Sequence, residues 1–100
     1  MTEQWRVYLS EGKEWCGRPL YEAVLEEARK AGLAGATVFK GRLGFGERRR
    51  LRGPTALGLG EDLPVVIELV DSAKALRAFL PHLRAIAPRA RVTATPVRLL

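Results

Sequence analysis

Two kinds of hydrophobic spacing divide this chain into strands and helices. Apolar and polar residues alternate over residues 5–11, which predicts a strand with one buried and one exposed face. Residues 64–71 are largely apolar on both alternating faces, which predicts a central strand covered on both sides. Residues 35–41 and 91–100 are rich in β-forming residues and predict two further strands. Pro96 confines the last of these to a sheet edge or to its own end.

Two other segments show the spacing of amphipathic helices. The first helix begins at Pro19, which suits a first helical turn, and ends at Gly32. The second follows a cap at Asp71 or Ser72, and Pro81 predicts a kink or a division into two short helices. The apolar stripes are Leu20, Ala23, Val24, Ala28 and Ala31 in the first helix, and Leu76, Phe79, Leu80, Leu83 and Ile86 in the second.

The predicted element order is β-α-β-β-α-β, the ferredoxin-like split arrangement. We expect one α+β domain over residues 1–100, with two helices on one face of a four-stranded antiparallel sheet. The other face carries apolar residues such as Val66, and a homo-oligomer packed sheet against sheet would bury them. Glu68 lies on that face and needs a partner, for which Arg6 or Arg98 on the flanking strands is suitable.

The connection at about residues 42–63 joins two neighbouring strands and is far longer than a turn requires. Such a length predicts a functional or mobile segment. Six basic residues stand against Glu47 between Lys40 and Arg52, so most of the net charge of +6 lies in this part of the chain. This charge attracts anions without specifying which anion.

Cysteine usage and the N-terminal sequence bear on the cellular compartment. Cys16 is the single cysteine, which excludes an intramolecular disulfide, and we expect it to be a small packed side chain. The residues after Met1 lack the basic and then apolar pattern of a secretory signal, and the apolar runs are too short to span a bilayer. We therefore expect a cytoplasmic protein.

The stretch "KGRLGFGERRRLRGP" has three glycines within six residues, and their spacing fits neither a dinucleotide-binding fingerprint nor a P-loop. One interpretation is that Gly41, Gly44 and Gly46 provide positive φ angles or bulges where a strand ends. The other is that backbone N–H groups from Gly44 to Gly46 bind an anion, with Arg42 or Arg48 closing over it.

The arginine run that follows these glycines allows three interpretations. Arg48, Arg49, Arg50 and Arg52 are solvated loop charges, or they recruit the acidic surface of a partner, or they bind nucleic acid. Only Phe45 is close enough in sequence to stack on a base, and no helix is placed to enter a groove. We therefore do not expect specific nucleic-acid binding.

The sequence contains no recognisable catalytic constellation. Carboxylates are present, but none is paired in sequence with a nucleophile or a metal-ligand set. His82 is the only histidine, and we expect it at the surface or partly packed rather than acting as a base. We expect a protein that is not an enzyme and that uses neither a metal nor a cofactor.

The segments "GRPLYEAVLEEARKAGLAGATVFKGRLGFG" (17–46), "EDLPVVIELVD" (61–71) and "FLPHL" (79–83) occur in this order along the chain. In them the chain resembles the uncharacterised PII-like family of small trimeric proteins, some members of which are linked or fused to fluoride-channel proteins. The resemblance covers nearly the whole chain. The chain is more distantly similar to PII signalling proteins, whose mobile T-loop begins with a similar "GFG" after a strand.

This resemblance implies a ferredoxin-like homotrimer with ligand clefts between subunits. PII proteins bind adenine nucleotides in such clefts and signal through the T-loop to a membrane transporter or an enzyme. The family pattern often has an acidic residue at the position of Glu11, where a ligand or partner contact and a plain loop role both stay open. The implied ligand site comprises Gly41, Arg42, Gly44, Phe45, Gly46, Arg48, Arg89 and Arg91, and the implied partner-binding loop carries Arg49, Arg50 and Arg52.

One departure from PII proteins affects the expected ligand. Where those proteins have a glycine- and lysine-rich phosphate-binding loop, this chain has the glycine-free "AIAPRARVT" (85–93), with charge available from Arg84, Arg89 and Arg91. Two functions therefore stay open. One is a regulatory trimer that binds a small anion, such as an adenine nucleotide, and engages a partner, such as a membrane transport protein, through the 42–63 loop. The other is a ligand-free trimeric scaffold whose basic loop docks on an acidic partner.

Overall fold

The computed structural model describes residues 1–46 and 62–100. Within these ranges the elements are β1 (Thr2–Ser10), β2 (Glu14–Trp15), β3 (Arg18–Pro19), α1 (Leu20–Lys30), β4 (Gly35–Lys40), β5 (Pro64–Ser72), α2 (Ala73–Ile86) and β6 (Arg91–Val97). The long strands form one antiparallel sheet in the order β4-β5-β1-β6, and β2 pairs with β3 in a small hairpin. The predicted α+β fold, with its split β-α-β order and two helices, is confirmed.

One face of the sheet forms the core with the two helices. Val7 lies opposite Ile67 of β5 and Val92 of β6, so the alternation in β1 and β5 points one set of side chains at the helices. Burying each such aliphatic side chain stabilises the fold by roughly 1.5–3 kcal/mol. The largest fully buried side chains in the described ranges are Val7, Val24, Val65, Ile67, Leu69, Leu76, Phe79 and Leu83.

The helix ends follow the capping signals of the sequence. Gly32 has a φ of +78° just after α1, as the left-handed residue that follows a helix requires. Ser72 caps α2, since its Oγ accepts a hydrogen bond of 3.1 Å from the backbone N–H of Ala75. α2 runs through Pro81 as a single helix, so the division into two short helices is wrong. Pro81 is exposed, and water can solvate the carbonyl that its missing N–H leaves unbonded.

Among residues 1–46 and 62–100, the two helices cover one face of the sheet and leave the opposite face partly exposed. Val66 and Val70 are half-buried on this face, and the expected oligomer that would cover them stays a prediction. Glu68 is paired there, with its Oε2 3.5 Å from Nε of Arg6 on β1. The predicted partnership of Glu68 with Arg6 is therefore confirmed.

The hairpin formed by β2 and β3 corrects the expectation for Cys16. Cys16 and Gly17 form its two-residue turn with φ angles of 51° and 79°, the positive values that a type I′ turn requires at both positions. At the tip of such a turn the side chain points to solvent, and Cys16 is exposed. The expectation of a packed cysteine is wrong because residues 14–19 form a hairpin with Cys16 at its turn. In the described ranges no helix has the length and apolarity that a transmembrane span requires.

Candidate ligand-binding cavity

A cavity of about 870 Å³ opens at the end of the sheet where β4 finishes and β6 begins. One wall is the end of β4 with the segment after it, residues 39–46, and another is the turn between α2 and β6, residues 87–91. The cavity is large enough for a small organic ligand. Its walls bring together two parts of the chain that lie more than forty residues apart in sequence.

All four strands of the sheet contribute to the cavity lining, and four of the lining residues form a row across the sheet. Phe39 of β4 lies opposite Val66 of β5, Val66 lies opposite Tyr8 of β1, and Tyr8 lies opposite Arg91 of β6. All four line the cavity. Residues directly opposite one another share a face of the sheet, so they form a single cross-strand row. We refer to Phe39, Val66, Tyr8 and Arg91 as the cross-strand row.

The charged side chains that line the cavity are all basic. They are Lys13, Lys40, Arg89 and Arg91, and no aspartate or glutamate lines it among residues 1–46 and 62–100. Cations gathered in a concave site attract anions and raise their local concentration. The cavity is therefore electrostatically suited to an anionic ligand.

Aromatic and aliphatic side chains near these cations remain unusually exposed. Phe39 is 51% exposed, and Leu43 and Phe45 are each 65% exposed. Exposed rings on one wall of a cavity can stack on a flat group while guanidinium groups on another wall bind an attached anion. The combination suits a ligand that has both a planar apolar part and a negative charge.

Gly41 is required by its close approach to the ring of Pro64 rather than by its φ angle. Its N–H donates a hydrogen bond of 2.7 Å to the carbonyl of Pro64, and a Cβ at Gly41 would lie 2.8 Å from Cγ of Pro64. A Cβ at Gly44 would make ordinary contact with the same ring, and one at Gly46 would meet nothing within 4 Å. In the described ranges the positive-φ glycines are Gly17 and Gly32, so the positive-φ interpretation of the three cavity glycines is wrong.

Lys40 is held at the cavity by an acidic residue and an aromatic ring. Its Nζ lies 2.6 Å from Oε2 of Glu11 and 5.3 Å from the ring centroid of Tyr21. The hydrogen bond to Glu11, and then that to Tyr21, raise the pKa of Lys40 above its ordinary value.

The loop after β1 also contacts the residues that lead into β5. The Glu11 N–H donates to the carbonyl of Leu63 at 2.8 Å, and the Gly12 N–H donates to Oδ1 of Asp62 at 2.9 Å. Together with the Glu11–Lys40 ion pair, these bonds connect one loop to both strands that flank the long connection.

The structure brings together most of the site residues predicted from sequence. Arg42 is exposed and does not line the cavity. Arg48, Arg49, Arg50 and Arg52 lie outside the described residues, as does most of the 42–63 segment. The predicted residues that line the cavity are Gly41, Gly44, Phe45, Gly46, Arg89 and Arg91. Whether they bind a ligand stays a prediction.

Four aromatic or basic lining residues were missed in the sequence: Tyr8, Lys13, Phe39 and Lys40. Tyr8 and Phe39 could have been found from strand alternation once the strand order was known, because both lie on the uncovered face. Lys40 had only its position next to Gly41 as a signal. Lys13 had none.

His82, the only histidine of the sequence, does not line the cavity. No group of three or more metal-ligating side chains occurs in residues 1–46 and 62–100. His82 is exposed, and its ring stacks at 6.4 Å on that of Phe79.

Curated proteins include sequence relatives of this chain. A UPF0166 protein of Aquifex aeolicus is 35% identical over 79 residues, covering 79% of this chain and 75% of the relative. A UPF0166 protein of Methanocaldococcus jannaschii is 35% identical over 81 residues, covering 78% of this chain and 71% of the relative.

Solved structures with a similar fold include PII-like proteins. CPII, a nitrogen regulatory PII-like protein from Thiomonas intermedia K12 bound to ADP, AMP and bicarbonate, has a TM-score of 0.63 at 15% identity, over 98% of this chain and 87% of that one. A Thermus thermophilus protein described as PII-like signaling has a TM-score of 0.60 at 20% identity, over 94% of this chain and 82% of that one. The DUF190 family model (Uncharacterized ACR, COG1993) matches residues 2–99. The chain therefore belongs to the DUF190 family, with a PII-like fold.

Proposed function

We propose that this protein is a PII-like regulatory module that binds a small anionic ligand in the cavity beside the cross-strand row. The observation that carries the proposal is the lining charge, since the described lining residues include four cations and no carboxylate. An adenine nucleotide is the leading candidate, because exposed Phe39 and Phe45 offer rings for a planar base beside the cations. The similar fold of CPII, which is bound to ADP and AMP, supports this choice.

In this proposal the protein is a homotrimer, and the cavity is completed by a neighbouring subunit. Support comes from the half-buried Val66 and Val70 on the face of the sheet that the helices leave uncovered. Val66 belongs both to this face and to the cavity lining, so a subunit packed on the face would also border the cavity. The ligand would then lie in a cleft between subunits.

The proposed output is binding of a partner through the basic 42–63 connection, with a membrane transport protein as one candidate. Arg42 and the four arginines that follow it in sequence supply the charge for an acidic partner surface. Because the segment just before them lines the cavity, a bound ligand would bias how the connection is presented. The ligand is bound and released unchanged in this role, which is regulatory, cytoplasmic and not enzymatic.

Calorimetry and thermal-shift assays with ATP, ADP, AMP and cyclic AMP test the ligand proposal directly. We expect at least one of them to raise the melting temperature at concentrations well above micromolar, and Arg89→Gln to remove the shift. Arg77→Gln is the matched control, because Arg77 is exposed on α2 and does not line the cavity. No stabilisation of the wild-type protein by any of the four would overturn the proposal.

A ligand-free scaffold trimer is the second candidate, and the glycine-free turn between α2 and β6 favours it. Such a scaffold would bind its partner equally well with and without nucleotide. Recovery of partners from a native extract, with and without added ADP, separates the two functions, since only a regulatory module changes its partners with ligand.

A further inference from the structure

Arg84 is a basic residue near the cavity that does not line it. It lies in the last turn of α2 and is half-buried. Its Nη1 donates a hydrogen bond of 2.6 Å to the carbonyl of Ala90 and approaches the carbonyls of Ala87 and Pro88 at 3.4 Å each. Nη1 therefore donates one strong hydrogen bond to Ala90 and lies within weak hydrogen-bond range of the other two carbonyls, so this nitrogen is directed at the backbone of the turn rather than at a phosphate.

The carbonyls that Arg84 binds belong to the turn that forms one wall of the cavity. The Ala90 N–H closes this turn on the carbonyl of Ala87 at 3.3 Å, a long bond that alone holds a turn weakly. The turn carries Arg89 and leads directly into Arg91, both of which line the cavity. Arg84 therefore stabilises the backbone of the turn that positions Arg89 and Arg91.

We propose that Arg84 is a positioning residue for anion binding, which fixes the turn between α2 and β6 through its carbonyls so that Arg89 and Arg91 face the cavity. This inference rests on the proposed function. A loop that binds phosphate through glycine N–H groups is positioned by its own backbone, whereas this turn has no glycine. Hydrogen bonds from Arg84 of the preceding helix hold this turn in a conformation that the turn sequence alone does not fix.

Arg84→Lys tests the proposal, because lysine keeps the positive charge and loses the planar guanidinium fork. We expect the dissociation constants for ADP and for inorganic pyrophosphate to rise at least about tenfold, the lower range for loss of an outer hydrogen-bond partner in metal sites. We also expect faster amide exchange at Ala90. Arg77→Lys is the matched control on the same helix and should change neither measurement.

Each outcome of this experiment decides between roles for Arg84. A lower melting temperature with unchanged affinity would show a merely structural role and overturn the inference alone. Weaker ligand binding with unchanged amide hydrogen exchange at Ala90 would also overturn the inference, because the loss of affinity would then not come from a change in the turn. If Arg84→Lys does not fold, Arg84→Gln is measured in the same way, with Arg77→Gln as its control. Failure of the wild-type protein to bind both ADP and pyrophosphate would overturn this inference alone, whereas the proposed function is overturned only if ATP, AMP and cyclic AMP also fail to stabilise the protein.

Discussion

Glu11 and Lys40 form an ion pair in which Oε2 and Nζ lie 2.6 Å apart, at the place where the long connection leaves the sheet. Lys40 ends β4 and lines the cavity, whereas Glu11 follows β1 and does not line it. One of the four cations that line the cavity is therefore already paired with a carboxylate. An anion in the cavity would compete with Glu11 for the Lys40 ammonium group.

Glu11→Gln should strengthen anion binding. Lys40 would lose its carboxylate partner and become available to the ligand, so we expect the affinity for ADP to rise about two- to fivefold, the range for an exposed ion pair. Isothermal titration calorimetry measures this change. Glu14→Gln is the control, since this substitution also removes one negative charge, from an exposed residue of β2 that does not line the cavity. Unchanged or weaker binding by Glu11→Gln would contradict competition between Glu11 and the ligand.

The same ion pair predicts a change of stability at alkaline pH. The pKa of Lys40 is raised by Glu11 and then by Tyr21, so the folded state holds this proton more tightly than the unfolded chain. The stability from the pair is fully present below the unfolded lysine pKa, about 10.4, and is lost as pH rises through the folded value.

Melting temperatures of the wild-type protein and Glu11→Gln check this expectation. The wild-type protein should melt higher by a constant margin from neutral pH to about pH 9, and the margin should shrink as Lys40 loses its proton. The difference in melting temperature between the wild-type protein and Glu14→Gln should not shrink over this pH range. A margin that persists beyond the folded pKa would mean that the ion pair is not its source.

Gly41→Ala should destabilise the fold. A Cβ at Gly41 would lie 2.8 Å from Cγ of Pro64, and both residues are held by the hydrogen bond from the Gly41 N–H to the Pro64 carbonyl. Forcing a methyl group into this contact costs about 1–3 kcal/mol. Urea denaturation measures the cost. The control is Gly46→Ala, whose Cβ would meet nothing within 4 Å and should change the stability by less than about 0.5 kcal/mol.

Val70→Glu tests the proposed trimer. Val70 is half-buried on the face of the sheet that the helices do not cover, and a carboxylate there would be desolvated at a sheet-to-sheet interface. We expect the molar mass from analytical ultracentrifugation to fall from that of a trimer to that of a monomer. Ala78→Glu introduces the same charge on the exposed side of α2 and should leave the assembly intact. A wild-type protein that sediments as a monomer would refute the trimer itself.

Local signals in the sequence predicted most of the fold, because each acts within a few residues. Gly32 ends α1 and Ser72 caps α2 through interactions with their immediate neighbours. The turn at Cys16 was missed because the sequence does not say that a non-glycine residue will adopt a positive φ angle.

The candidate site was predicted only in part, because its members meet through the register of the sheet. Gly41 and Arg89 could be singled out by residue type, but nothing near Tyr8 in sequence indicates that it lies opposite Arg91. The Glu11–Lys40 contact likewise joins residues twenty-nine positions apart. Such contacts follow from strand order and register, which short motifs do not encode.

Because of the cross-strand row, the cavity forms only when all four strands of the sheet have paired. Phe39, Val66, Tyr8 and Arg91 come from four different strands, so no fragment of the chain contains the floor of the cavity. A slip of one residue in any strand would turn its contribution to the other face of the sheet. A ligand that contacts this row would therefore bind only those protein molecules in which all four strands are paired in the correct register. Ligand binding would then measure the fraction of the protein that is correctly folded.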